Sequence, residues 1–209
     1  QGKQGHNLPH AIKIPMMNVI FYHIGPDVSI PRMLAESIRK TGHNPVFLTD
    51  NKTEGIEGCE THRFGFTGEN VVWKRMLCYA EYNQEGIYLD SDMMVMKNLE
   101  PIMALDFDVA LTKVSHQIID PKGVNLTALM PYNGGFIAVK DKTFLPAMVR
   151  HVIDTQNEAD VDLTQYWYCD QMTLAEVAGT RNLVELPVKI YNKTVKKPGM
   201  DVSGAWVLH

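Results

Sequence analysis

The sequence has few cysteines and no long apolar run. Its three cysteines, Cys59, Cys78 and Cys169, are widely spaced and form no Cys-x-x-Cys pair, which argues against a disulfide framework and against a cysteine-rich zinc site. They indicate reduced thiols, so we expect a cytoplasmic protein. No stretch reaches the roughly 18 apolar residues that a membrane-spanning helix needs, so we expect no transmembrane segment.

Positive charge is scarce as well. The formal net charge is −4, whereas nucleic-acid-binding domains usually carry a basic surplus on one face; we therefore expect no nucleic-acid partner. Linkers and repeats are also missing, which predicts one domain over residues 16–209 with a C-terminus that could be truncated. Residues 1–15 lack the apolar core of a signal peptide and are interpreted as an N-terminal extension or an expression remnant. An Asn-x-Thr triplet at Asn192, one of three, carries little weight without a secretion signal.

Short apolar runs alternate with amphipathic segments along the rest of the chain. The patterns predict strands at 18–24, 45–49, 62–64, 87–89, 109–111, 135–139 and 183–186. They predict helices at 30–41, 70–83, 144–154 and 168–178. This alternation is typical of an α/β fold with a mostly parallel central sheet and helices on both faces.

The sharpest motif is Asp90-Ser91-Asp92, which follows the apolar run Ile87–Leu89 directly. Ligands of open α/β sheets bind at the carboxyl ends of strands. If the strand stays extended through Ser91, both carboxylates point to the same side, about 6.5 Å apart. A divalent cation takes one or two such carboxylates plus phosphate oxygens, and a nucleotide diphosphate sugar supplies those oxygens. The alternative is an ordinary acidic surface turn.

The stretch 86–101 (GIYLDSDMMVMKNLEP) resembles the Asp-x-Asp region of GT-A-fold glycosyltransferases, especially the retaining family 8 type. The resemblance implies a Rossmann-like GT-A domain in which Asp90, Ser91 and Asp92 bind the donor and the two aspartates also bind a metal ion. It implies a third metal ligand near the C-terminus, for which His209 is the candidate. Nitrogen plus carboxylate ligation favours Mn²⁺ over Mg²⁺. The alternative for His209 is a terminal residue without a defined place.

The same resemblance implies further donor-binding residues. Tyr22, His23 and Ile24, at the end of the first strand, would contact the nucleotide base, although they could also be ordinary strand residues. Lys74 and Arg75 lie on the helix before the motif, and only one of them is expected to face the donor phosphates or ribose; a solvated helix face is the alternative.

Two later segments are assigned to the transferred sugar. Asn133, Gly134 and Gly135 open a strand where consecutive glycines allow close approach of the backbone to a ligand; alternatively, the glycines serve a turn. Asp170 and Gln171 begin a helix, and the resemblance aims them at the sugar; with Asn133 they are the predicted positioning residues with a catalytic role. Asp170 could instead be a helix cap.

Together these residues predict a metal-dependent hexosyltransferase. It would transfer a sugar from a nucleotide diphosphate donor, most simply UDP-linked, to a hydroxyl of a saccharide, lipid-linked or protein acceptor, with retention implied by the resemblance alone. One alternative is a non-catalytic nucleotide-sugar or carbohydrate-binding module of the same fold. A phosphatase of the haloacid dehalogenase type fits poorly, because its Asp-x-Asp lies on a first strand, whereas Asp90 is far along this chain.

Overall fold

The computed structural model describes residues 16–67, 70–119, 123, 125–159, 162, 164, 166 and 168–209; the predicted extension 1–15 lies outside them. The strands are β1 (Asn18–Tyr22), β2 (Asn44–Thr49), β3 (Glu60–Arg63), β4 (Gly86–Asp90), β5 (Met94–Val95), β6 (Val109–Lys113), β7 (Tyr132–Val139), β8 (Leu183–Leu186) and β9 (Val207–Leu208). The helices are α1 (Ser29–Lys40), α2 (Val71–Tyr82), α3 (Glu100–Met103), α4 (Phe144–Ala159), α5 (Cys169–Ala178) and α6 (Val188–Tyr191). None of the helices in this described part is both long and apolar enough to cross a bilayer.

Seven strands form one central sheet in the order β3-β2-β1-β4-β7-β6-β8. All neighbouring pairs are parallel except those of β7, which runs antiparallel to both β4 and β6. The predicted α/β architecture with a mostly parallel sheet is confirmed. A separate two-stranded sheet pairs β5 with β9; the sequence patterns predicted neither strand, nor the one-turn helices α3 and α6.

The central strands are apolar on both faces, because helices cover both sides of the sheet. Along β1, Ile20 and Tyr22 belong to one core cluster, whereas Val19 and Phe21 belong to the other. Alternate residues of a strand point to opposite faces, so the two clusters are the two sides of the sheet. Helices α2, α4 and α5 pack on the first side and α1 on the second.

Helix α2 carries the predicted basic residues, and its limits follow from two asparagines. The Asn70 side chain accepts hydrogen bonds from the backbone N–H groups of Val72 (2.9 Å) and Trp73 (3.3 Å), which caps the helix start. The helix ends at Tyr82, and its C-cap Asn83 has a left-handed φ of 45°. Gly86 lies beyond the helix and opens β4, where a Cβ atom would lie 2.7 Å from the carbonyl oxygen of Asn18.

Candidate functional site

The site lies where the adjacent parallel strands β1 and β4 end. Tyr22 and Asp90 are register partners, so the segments that follow both strands leave the sheet together. They border a cavity of about 300 Å³, which is within the size range of small-molecule sites. It is lined by Tyr22, His23, Ile24, Val71, Val72, Arg75, Asp90, Ser91 and Asp92. Seven of these nine residues were donor-binding candidates in the sequence.

The Asp-x-Asp motif forms a turn. Strand β4 stops at Asp90, and the N–H of Met93 donates a hydrogen bond to the carbonyl oxygen of Asp90 at 3.2 Å. The strand therefore does not stay extended through Ser91, and the condition for an extended arrangement of the two aspartates is not met. The turn still keeps both aspartates on the cavity, with Asp90 half-buried and Asp92 exposed.

The two aspartates lie close to His209, which is 119 residues after Asp90 in the sequence. Ligand atoms of the three side chains all lie within 4.8 Å of one another, and Nε2 of His209 is 3.6 Å from Oδ1 of Asp92. Pairing of β5 with β9 brings the C-terminal segment to this place, and the N–H of His209 donates to the carbonyl oxygen of Lys193 at 2.9 Å. Two carboxylates and one imidazole at these separations are a donor set that suits Mn²⁺ or a similar divalent ion.

Arg75 lies between two aspartates from different elements. Its guanidinium donates hydrogen bonds to Oδ1 of Asp90 and to Oδ2 of Asp170. Burial by itself would lower the pKa of Arg75, but the neighbouring charges of Asp90 and Asp170 outweigh it and raise the pKa further above its ordinary value. Lys74, its neighbour on α2, does not line the cavity. Of the two predicted basic residues, Arg75 is the one that meets the motif.

Asp170 is a buried carboxyl, 4% exposed, in the first turn of α5. Burial raises its pKa, while the positive charge of Arg75 acts in the opposite direction. The helix cap is Tyr168, so Asp170 is not the capping residue that the sequence offered as an alternative. Gln171, which follows it, is half-buried and does not line the cavity.

Two consecutive glycines make room for these carboxylates. A Cβ atom on Gly134 would lie 2.7 Å from Oδ2 of Asp170, and one on Gly135 would lie 2.8 Å from Oδ2 of Asp90. Neither glycine has a positive φ, so the glycines are needed for space and not for a turn. They lie inside β7, which begins at Tyr132, three residues before the predicted strand 135–139. The register of β7 with β6 shifts in this part of the strand, from Leu111–Ile137 to Thr112–Asn133.

The first-strand candidates are distant from the Asp-x-Asp motif in the sequence but lie beside it in the structure, because β1 and β4 are neighbours in the sheet. Tyr22 is 5% exposed and packs in the core, and burial raises its pKa. His23 and Ile24 follow the strand instead of extending it. Nε2 of His23 is buried and has no hydrogen-bond partner among the described residues, while the residue as a whole lines the cavity.

One polar residue near the site had no functional signal in the sequence. Asn192, which appeared there only as the start of an Asn-x-Thr triplet, is 3% exposed and contacts both His209 and Asn133. The Oδ1 atom of Asn133 also accepts a hydrogen bond from the N–H of Gly135 at 2.7 Å. Asn133 does not line the cavity, so this predicted sugar-binding residue contacts the site through its neighbours.

Comparison by sequence identifies no relative: no protein-family model and no curated protein matches the chain. Comparison of structures does. The bifunctional glycosyltransferase WbbM matches with a TM-score of 0.62 at 13% identity over 93% of this chain and 45% of its own. The glycosyltransferase GlyE of Streptococcus pneumoniae TIGR4 matches with a TM-score of 0.61 at 15% identity, over 93% and 54%. This chain thus spans about half the length of these two proteins.

A third similar structure is of comparable length. The galactosyltransferase LgtC, in complex with donor and acceptor sugar analogues, has a TM-score of 0.58 at 11% identity over 92% of this chain and 86% of its own. At such low identities a shared structure establishes the fold, whereas activity has to be argued from the site. The chain therefore has the GT-A fold of these glycosyltransferases.

Proposed function

We propose that this chain is a metal-dependent hexosyltransferase that uses a nucleotide diphosphate sugar, UDP-linked, and transfers the sugar to an acceptor hydroxyl with retention. The observation that carries the proposal is the meeting of Asp90, Asp92 and His209 beside the 300 Å³ cavity at the ends of β1 and β4. Residues far apart in the sequence converge there with the ligand types that a divalent ion requires.

The charge of the site supports a cation as a partner. In their ionised states Asp90, Asp92 and Asp170 carry three negative charges, and Arg75 supplies one positive charge against them. A partly buried excess of negative charge is costly unless it is compensated. A Mn²⁺ or Mg²⁺ ion held by Asp90, Asp92 and His209 would compensate it, and when bound it would stabilise the negative charge that grows on the departing diphosphate.

The residues of the chain itself would orient the donor. Tyr22, His23 and Ile24 form the wall of the cavity at the end of β1, where they would contact the nucleotide base. Arg75, held by Asp90 and Asp170, presents a guanidinium with a fixed orientation, which suits sugar or phosphate oxygens. In the transfer, the bond from the anomeric carbon to the diphosphate oxygen is exchanged for a bond to the acceptor oxygen, whose proton is released.

Asp170, Gln171, Asn133, Gly134 and Gly135 are proposed to position the sugar. Support comes from the small size of the two glycines, which lets the Asp90 and Asp170 carboxylates approach β7 closely, and from the burial of Asp170 against Arg75. The acceptor is proposed only as a hydroxyl of a saccharide, a lipid-linked molecule or a protein. The three free cysteines agree with the predicted cytoplasmic location.

Calorimetric titration of UDP-glucose, UDP-galactose, UDP-N-acetylglucosamine and GDP-mannose, each with and without Mn²⁺, tests the proposal. We expect one donor to bind in a Mn²⁺-dependent manner, and Asp92→Ala to abolish this binding. Asp106→Ala is the matched control: Asp106 is exposed and precedes β6. Because β6 runs in the same direction as β4, Asp106 lies at the other end of the sheet. Donor binding that is the same with and without Mn²⁺ and is unchanged in Asp92→Ala would refute the proposal.

Slow hydrolysis of the donor separates an enzyme from a binding module. A transferase is expected to release free sugar and UDP slowly in the absence of an acceptor, whereas a binding module of the same fold leaves the bound donor intact. The released nucleotide is measured by anion-exchange chromatography over hours, with Asp92→Ala and Asp106→Ala in parallel.

A further inference from the structure

We infer that Asn192 is a positioning residue that fixes the tautomer of His209, so that the unprotonated Nε2 faces Asp92. The inference rests on the proposed function, because the tautomer matters for a metal ion that His209 helps to hold. Asn192 lies immediately after α6 and is almost fully buried, and it contacts three polar side chains.

These three contacts use both ends of the Asn192 amide. Its Oδ1 lies 3.0 Å from Nδ1 of His209. Its Nδ2 lies 2.9 Å from Oδ1 of Asn133 and 3.1 Å from Oγ1 of Thr112. The partners come from the ends of β9, β7 and β6, so Asn192 connects the C-terminal segment to the central sheet.

The direction of every hydrogen bond in this group follows from one backbone N–H. The N–H of Gly135 can only donate, so the Asn133 atom that faces it must be the carbonyl oxygen Oδ1. The atom of Asn192 that faces the same oxygen must then be a donor, Nδ2. The remaining Oδ1 of Asn192 faces His209, so Nδ1 of that imidazole must carry the proton.

A neutral imidazole with its proton on Nδ1 has a lone pair on Nε2. That atom lies 3.6 Å from Oδ1 of Asp92, which is too long for a hydrogen bond between the two. Both atoms therefore keep a free electron pair on the same side of the site, as two ligands of one cation require. A partner on the second ring nitrogen is also how metal-binding histidines are usually oriented.

Burial makes the arrangement hard to reverse. Thr112 is fully buried and Asn192 is 3% exposed. Rotating the Asn192 amide by half a turn would bring its oxygen against Oδ1 of Asn133 and its NH₂ group against the Nδ1–H of His209. Buried polar groups without partners are costly, so the amide selects a single tautomer.

The tautomer can be observed directly in the unaltered protein. Long-range ¹⁵N–¹H correlation spectra of metal-free, ¹⁵N-histidine-labelled protein are recorded at about pH 8.5, well above the ordinary imidazole pKa, and the His209 signals are assigned by their loss in His209→Gln. We expect a protonated Nδ1 and an unprotonated Nε2. A proton on Nε2 would overturn the inference, even in a protein that binds Mn²⁺.

Two variants separate positioning from general destabilisation. Asn192→Leu removes the acceptor of Nδ1–H, so we expect a mixture of tautomers and Mn²⁺ binding weaker by about 10- to 100-fold. Thr112→Val removes only the hydroxyl that accepts from the Asn192 NH₂ group. We expect the His209 tautomer to stay the same and the Mn²⁺ affinity to stay within about threefold of the original. Equal losses in both variants would contradict a specific role for Asn192.

The two proposals fail in different ways. If the original protein does not bind Mn²⁺, the proposed metal-dependent function is refuted, while the spectra still decide whether Asn192 sets the tautomer. If Mn²⁺ binds but Asn192→Leu binds it equally well, the positioning role is refuted and the metal site remains.

Discussion

A Cβ atom placed on Gly134 would lie 2.7 Å from Oδ2 of Asp170, a separation that real side chains do not adopt. Asp170 cannot move away freely, because it is buried and binds Arg75. The space left by a missing side chain on β7 thus keeps the Arg75–Asp170 pair in place. Sterics at this strand and electrostatics at the site are coupled.

We expect Gly134→Ala to displace Asp170 or Arg75 and to reduce Mn²⁺-dependent donor turnover by at least about tenfold, since small displacements of positioning groups cost large rate factors. Turnover is measured as nucleotide release. Gly204→Ala is the control, because a Cβ atom there meets nothing within 4 Å. Full activity of Gly134→Ala would show that Asp170 is not needed at its present position.

Replacing Arg75 is expected to destabilise the protein. Arg75→Met leaves the buried Asp170 without its counter-charge, and breaking a buried ion pair in this way costs about 3–5 kcal/mol. Urea unfolding at pH 7 measures the loss. Arg181→Met removes a comparable but more exposed ion pair with Asp141, for which about 1 kcal/mol or less is expected. Similar losses of unfolding free energy in the two variants would show that the ion pair at the site stabilises the protein no more than the Arg181–Asp141 pair does.

His43 is expected to make stability depend on pH. It is 2% exposed, and its Nε2 accepts a hydrogen bond from the N–H of Leu99 at 2.9 Å. Burial lowers its pKa below the ordinary value, so the unfolded state binds the proton more readily. The stabilisation is therefore present above about pH 6.5 and is lost as the pH falls towards the lowered pKa, by at most about 1.4 kcal/mol per pH unit.

His43→Gln isolates this effect, because glutamine can still accept the hydrogen bond but does not titrate. Urea unfolding at pH 7.5 and pH 5.5 should show a larger loss in the original protein than in the variant. Identical losses would mean that His43 does not titrate differently in the folded and unfolded states.

Metal selectivity is expected to depend on His209. Nitrogen ligands favour Mn²⁺ over Mg²⁺, so His209→Gln should lower the affinity for Mn²⁺ more than that for Mg²⁺, reducing their ratio by about tenfold. Calorimetric titration of each ion measures this ratio. His151→Gln, which alters a histidine paired with Glu176 on α5, should leave it unchanged; an unchanged ratio in His209→Gln would exclude His209 from the metal site.

Much of the fold follows from local pattern. Strands β1, β2 and β4 were predictable because continuous apolar runs are what a sheet covered on both faces requires. The placement of Asp90 at the end of β4 was predictable for the same reason, since the apolar run stops at that residue. The pattern left the turn after Asp90 undecided, because two alternating aspartates fit an extended strand and an acidic turn equally well.

The sequence by itself determined the α/β architecture and the acidic motif, because periodicity and strand ends are properties of neighbouring residues. Only the tertiary structure decided which distant groups meet there. Pairing of β5 with β9 brings His209 to Asp92, and packing of α2 beside α5 makes Arg75 rather than Lys74 the partner of Asp170. The contacts of Asn192 with Thr112, Asn133 and His209 are likewise a result of the tertiary structure, which brings three strand ends together around it. Such contacts depend on long-range pairing and burial, so the spacing of neighbouring residues does not predict them.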